Sequence, residues 1–167
     1  MATITLKGTP VQTAGNLPPV GALAPDFRVA KADLTNVGLK DFAGKQILLN
    51  IFPSVDTGIC AASARKFNEE VSSIPNTVIL CVSKDIPHAL KRFCEAEGLS
   101  NIVATSAIRD NTFESAYGVK MINGAMEGYF SRAVVVIGTD GLIKYTEQVP
   151  EIAQEPNYEA ALKALKA

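Results

Sequence analysis

The stretch Phe52-Pro53-Ser54-Val55-Asp56-Thr57-Gly58-Ile59-Cys60 joins two segments of opposite character. Ahead of it, the apolar run Ile47-Leu48-Leu49-Asn50-Ile51 predicts a buried strand over 46–52. Behind it, residues 61–71 predict a helix. Pro53 lacks an N–H and fixes its own φ, so the strand must end there. Thr57 and Gly58 each suit the N-cap of the helix. Cys60 then falls in the first helical turn, where N–H groups have no intrahelical partner and the helix dipole favours negative charge. A thiol so placed is expected to ionise more readily than a free one. Cys60 also heads a stripe with Ala64, Phe67 and Val71, which share one helix face. That predicts a sulfur half sheltered at the edge of the core. Position alone leaves two readings open: a reactive thiol, or a small thiol that only packs.

Working outward, Ile4, Leu6 and Val11 alternate with polar residues across Gly8-Thr9-Pro10 and predict an N-terminal β-hairpin. Residues 15–25 are rich in proline and glycine and predict a surface loop. Asp26 to Ala30 predicts a short strand, and Leu39 to Gly44 a single turn closed by glycine. Thr77-Val78-Ile79-Leu80-Cys81-Val82-Ser83 reads as a strand covered on both faces, as in a parallel sheet between helices. Cys81 within it reads as core. Pro87 opens the next helix, with Asp85 as a candidate cap and Gly98 as its stop. Leu90, Phe93, Cys94 and Glu97 share a face of that helix. Further strands are predicted at 102–105 and 133–137, with a short helix from Asn111 to Tyr117. Thr139-Asp140-Gly141 signals a hairpin back to Leu142–Tyr145, and Asn157 to Lys166 closes the chain as a helix. Strands alternating with helices give an α/β chain: a central mixed β-sheet flanked by helices.

Several of these residues carry a resemblance. Pro53-x-x-x-Thr57-x-x-Cys60 resembles the peroxidatic motif of peroxiredoxins. The longer string Asn50-Ile51-Phe52-Pro53-Ser54, then Asp56-Thr57-Gly58 and Cys60-Ala61-Ala62-Ser63, resembles the bacterial thiol peroxidases, an atypical 2-Cys peroxiredoxin subfamily. The likeness extends through Arg65 to Asn68, Arg92-Phe93-Cys94, Arg132 to Ile137 and Glu155 to Leu162. It implies a thioredoxin-like fold. It also implies a peroxidatic Cys60, a resolving Cys94, and a substrate pocket made by Pro53, Thr57 and Arg132. The expected substrates are hydrogen peroxide and alkyl hydroperoxides, the expected reductant a thioredoxin-like protein, and the expected assembly a homodimer. No metal or organic cofactor is implied.

The implied chemistry is attack of a Cys60 thiolate on the peroxide, giving a sulfenic acid that Cys94 resolves as an intramolecular disulfide. Ionisation alone does not explain a fast reaction of this kind. Lowering a thiol's pKa from about 8.5 to about 6 raises the ionised fraction at pH 7 about thirtyfold. A Brønsted slope near ~0.45 takes back about tenfold. Donors that hold the peroxide oxygens must supply the larger share. A threonine hydroxyl and a guanidinium fork suit that task. Read without the resemblance, Thr57 is a helix cap and Arg132 a solvated residue at the start of a strand.

With 167 residues the chain is expected to form one domain with a proper core. A formal net charge of −1 gives no reason to expect nucleic acid or an anionic membrane as partner. No apolar run approaches the roughly 20 residues of a membrane span, and the first residues lack a signal-peptide core, which predicts a cytoplasmic protein. Three cysteines argue against a structural disulfide framework there. A Cys-x-x-Cys oxidoreductase is disfavoured because Ala61-Ala62-Ser63 follows Cys60. A cysteine hydrolase would need a histidine base, and His88 is the only histidine. Zinc would need paired ligand spacing that Cys60, Cys81, Cys94 and His88 lack. The remaining alternative is a redox-sensing or chaperone-like binding protein on the same scaffold.

Overall fold

The computed structural model describes residues 1–167. Strand β1 (Thr3–Leu6) pairs with β2 (Thr9–Gln12) as a separate antiparallel hairpin. Its turn is Lys7-Gly8, with φ of 50° and 83°, the left-handed pair that a two-residue hairpin turn requires. The main sheet takes β3 (Val29–Lys31), β4 (Asn36–Val37), β5 (Gln46–Ile51), β6 (Thr77–Ser83), β7 (Ile102–Ser106), β8 (Ala133–Ile137) and β9 (Ile143–Gln148). Their spatial order is β4-β3-β7-β6-β5-β8-β9. β5, β6 and β7 run parallel at the centre, while β3, β8 and β9 pair antiparallel with their neighbours. The mixed sheet expected from the alternation of strands and helices is therefore present.

Helix α1 (Gly58–Val71) links β5 to β6, and α2 (Pro87–Glu97) links β6 to β7. α3 (Asn111–Tyr117) and α4 (Tyr158–Lys166) complete the helical layers. The period of two in β5 divides the core. Ile47, Leu49 and Ile51 join an apolar cluster with Phe113 and Tyr117 of α3. Leu48 joins the opposite cluster, which packs under α1, α2 and α4 and contains Cys60, Phe67, Cys81 and Leu90. Asn50 shares that second face, since successive side chains alternate across a sheet. The α1 stripe is buried as its spacing predicts: Cys60, Ala64, Phe67 and Val71 all lie inside.

Two local readings need correction. The strand expected at 26–30 is shorter and later, at Val29–Lys31, because Asp26 turns its carboxylate back onto the Phe27 and Leu39 N–H groups. β4 is a two-residue edge strand with no periodicity to betray it. No helix is long and apolar enough to cross a membrane.

Candidate active site

β5 delivers the chain to the site and Pro53 releases it. The Phe52 N–H still donates to the Val82 carbonyl at 3.2 Å; Pro53, buried, has no N–H to continue the ladder. The next four residues fold around Ser54. Its carbonyl accepts from both the N–H (3.2 Å) and the hydroxyl (3.0 Å) of Thr57. Its own hydroxyl accepts from the Asp56 N–H at 3.1 Å and donates to the Asp85 carboxylate at 2.7 Å. Thr57, in extended backbone, is the N-cap of α1, and its Oγ1 accepts from the Cys60 N–H at 3.4 Å. Of the two cap candidates, threonine holds the position and Gly58 is the first helical residue.

Cys60 is deeper than its stripe suggested. It is 0% exposed, not half sheltered, and lies in one buried apolar cluster with Phe52, Val55 and Val134 of β8. Arg132, one residue before β8, is also inside, at 2% exposed. The register that pairs Ile51 with Ala133 brings it beside the end of β5. Its Nε donates to the Ile152 carbonyl at 2.8 Å, and its Nη1 donates to Cys60 Sγ at 3.2 Å. No carboxylate pairs with this guanidinium. The solvated-residue reading of Arg132 is therefore wrong. A buried cation without a counter-charge is costly, and of its two hydrogen-bond partners only the sulfur can carry negative charge.

Cys94 lies on α2, half-buried, packed against the same apolar cluster as Cys60. All three cysteines are free thiols. Burial, and then the charge of Glu95, push the Cys94 thiol above its ordinary range. Cys81 is buried on β6, and its removal from water pushes its thiol up to about 12, against a hydrogen bond from Asn50 that lowers it. It is a core thiol, as its strand pattern indicated. His88 is exposed at the start of α2. A groove of 330 Å³ separates the first turn of α1 from α2; Thr57, Ala61, Arg92 and Phe93 are among its walls. The ion pair Asp56–Arg92, at 3.2 Å, joins two of its walls, and Arg65–Glu97, at 2.9 Å, ties α1 to α2. No group of three or more His, Cys, Asp or Glu stands close enough to hold a metal ion.

Three polar residues of the site escaped the sequence reading. Asp85 was expected to cap α2, but Ile86 occupies the N-cap without any side-chain bond. The Asp85 carboxylate is taken by the loop before Cys60 instead. Asn50 donates to Ser63 Oγ at 3.3 Å, and Ser63 donates to the Cys60 carbonyl at 2.9 Å. Asn50, one polar residue in an apolar strand, was the available signal.

Comparison with known proteins supplies the remaining finding. A family model described as Redoxin matches residues 19–162. The chain is 56% identical over 167 residues to a thiol peroxidase of Mycobacterium tuberculosis, covering 100% of both chains. Among solved structures, a peroxiredoxin-like protein from Aquifex aeolicus superposes with a TM-score of 0.93 at 34% identity, over 99% of this chain and 96% of that one. A thiol peroxidase from Chromobacterium violaceum shares the fold, with a TM-score of 0.91 at 22% identity, over 98% and 95% of the two chains. A peroxiredoxin-like fold and this degree of full-length identity converge: the chain belongs to the redoxin family, and within it to the thiol peroxidases.

Proposed function

We propose that Cys60 is the peroxidatic thiol and Cys94 the resolving thiol of a thioredoxin-dependent peroxidase that removes hydrogen peroxide and alkyl hydroperoxides. The observation that carries this reading is the buried Arg132 guanidinium donating to Cys60 Sγ at 3.2 Å with no carboxylate to neutralise it. A thiolate supplies the missing charge. The sulfur attacks the terminal peroxide oxygen; the S–O bond forms as the O–O bond breaks. The departing alkoxide or hydroxide takes a proton and leaves as alcohol or water. Charge moves from sulfur to the leaving oxygen during this step, and donors fixed beforehand favour it most. Arg132 stabilises that charge, and Thr57 orients the peroxide through its hydroxyl. Pro53 walls the pocket.

Cys94 then attacks the Cys60 sulfenic acid, forming the disulfide and releasing water. A dithiol protein of the thioredoxin type gives two electrons and two protons, restores both thiols and leaves as its own disulfide. The whole chain acts as one thioredoxin-like unit, works as a homodimer in the cytoplasm, and needs no cofactor. Disulfide bonding demands Cα atoms within about 7 Å, and both cysteines sit on packed helices. The first turn of α1, the middle of α2, or both, therefore loosen in every turnover.

Mass mapping after one equivalent of hydroperoxide tests the reading. Wild type should show Cys60 joined to Cys94, and Cys94→Ser a sulfenic acid on Cys60. Oxidation confined to any other residue sinks it.

A further inference from the structure

Asp85 stands between the two cysteine elements and belongs to neither. It follows β6 and precedes the Ile86 N-cap of α2. One carboxylate oxygen accepts the Ser54 hydroxyl at 2.7 Å. The other accepts the Val55 N–H at 2.9 Å and the Ser83 hydroxyl at 2.7 Å. Ser54 is the hub that orients Thr57, since its carbonyl takes both the Thr57 N–H and the Thr57 hydroxyl. Thr57 in turn receives the Cys60 N–H. A continuous set of hydrogen bonds thus runs from Asp85 through Ser54 and Thr57 to Cys60. Its anchor is half-buried and acceptor-only when ionised, and bonds of this charge-assisted kind are the strong ones.

We propose that Asp85 is a positioning residue that holds the Ser54–Cys60 turn in the geometry needed for the first oxidation and restrains its opening toward α2. This rests on the roles assigned above to Cys60 and Cys94. The two steps of the cycle ask opposite things of the turn. Oxidation by a small peroxide needs Thr57, Arg132 and the sulfur together, which is the closed arrangement. Disulfide formation needs the first turn of α1 to come apart. A clamp on Ser54 and Val55 favours the first and slows the second. Asp85 is placed to link them because it lies one residue before the Ile86 N-cap of α2 while its carboxylate holds the loop before Cys60.

Asp85→Asn keeps the shape and removes the charge. Losing a charge-assisted hydrogen bond shifts an equilibrium by about tenfold to a hundredfold. Rapid-mixing measurements should show Cys60 oxidation slowed about tenfold and Cys60–Cys94 disulfide formation accelerated by a similar factor. Amide exchange should quicken at Val55, Thr57 and Cys60 and stay unchanged in β8. General destabilisation would not drive the two chemical steps in opposite directions. Ser54→Ala, which removes the hydroxyl that bonds Asp85 and the Asp56 N–H but leaves Val55 on the carboxylate, should move both steps in the same two directions by less. The double variant should go little further than Asp85→Asn, since the Ser54 hydroxyl is one of the groups through which Asp85 holds the turn. Any other pattern, including two slowed steps or two unchanged ones, overturns the role of Asp85. Wild type separates this from the reading beneath it. A wild type that forms the Cys60–Cys94 disulfide normally beside an unaltered Asp85→Asn variant overturns Asp85 alone; a wild type that never forms it overturns both.

Discussion

Arg132 Nη1 lies 3.2 Å from Cys60 Sγ, with both residues buried and the Arg132 Nε pinned to the Ile152 carbonyl at 2.8 Å. The pin fixes the plane of the guanidinium. One N–H is then aimed at the sulfur with little freedom left to lose when substrate arrives. That is preorganisation in its simplest form, and its cost is borne by the fold through the burial of a cation.

Arg132→Met should therefore cost far more in rate than in folding. Removing one preorganised donor to developing charge costs on the order of 10²–10³ in rate. The expected result is a drop of that size in the second-order rate of Cys60 oxidation, read by stopped flow. Arg132→Lys should recover only part of it, because an ammonium has no planar fork to hold Ile152 and the sulfur at once. Full recovery by lysine would mean that charge alone matters.

Thr57 has two duties that substitution can separate. Its hydroxyl caps α1 and, on our reading, meets the peroxide. Loss of such a cap costs about 0.5–2 kcal/mol. Thr57→Val should lower thermal stability by that amount and also slow oxidation steeply. Thr57→Ser should preserve most of both. If Thr57→Val loses stability but keeps its oxidation rate, threonine is a cap and nothing more.

How much of this was legible beforehand depends on sequence distance. Pro53, Thr57 and Cys60 act within one loop and one turn, so residue type and spacing sufficed to end the strand, cap the helix and place the thiol. Arg132 is different. Its contact with Cys60 spans 72 positions and exists only because Ile51 registers against Ala133. Nothing local distinguishes a buried arginine before a strand from a solvated one; the family resemblance pointed to it. The full burial of Cys60 is hidden for the same reason, since its cluster includes Val134 and Val136 of the far strand β8 and its sulfur meets Arg132. Asp85 misled because an acidic residue before a proline-opened helix is the ordinary cap pattern. The loop before Cys60 offered it a hydroxyl and an N–H, and those won.

The resolving step should depend on pH in a defined direction. Burial and then Glu95 raise the Cys94 thiol above its ordinary range. Thiolate is the attacking form, so little of it exists near neutrality, and its share grows as pH rises. Disulfide formation, timed after a rapid pulse of peroxide, should accelerate steadily from about pH 6 to about pH 9. A flat profile would mean that proton loss from Cys94 is not part of the step being timed.

The third cysteine predicts alkaline behaviour that has nothing to do with peroxide. Burial pushes the Cys81 thiol from 9.0 up to about 12. The folded protein therefore holds this proton more tightly than the unfolded chain does. Between those two values the unfolded state binds fewer protons, so stability must fall as pH rises. The contribution is fully present below the unfolded value and is gone once pH has passed the folded one. Tyr117, buried and hydrogen-bonded to the Pro25 carbonyl, acts in the same direction and is retained in a Cys81→Ala variant. Cys81→Ala should start less stable, through a small cavity, and lose stability less steeply above pH 9. Denaturant midpoints taken across that range, under reducing conditions, measure the slope. If the two slopes coincide, Cys81 is not the group that carries this alkaline loss.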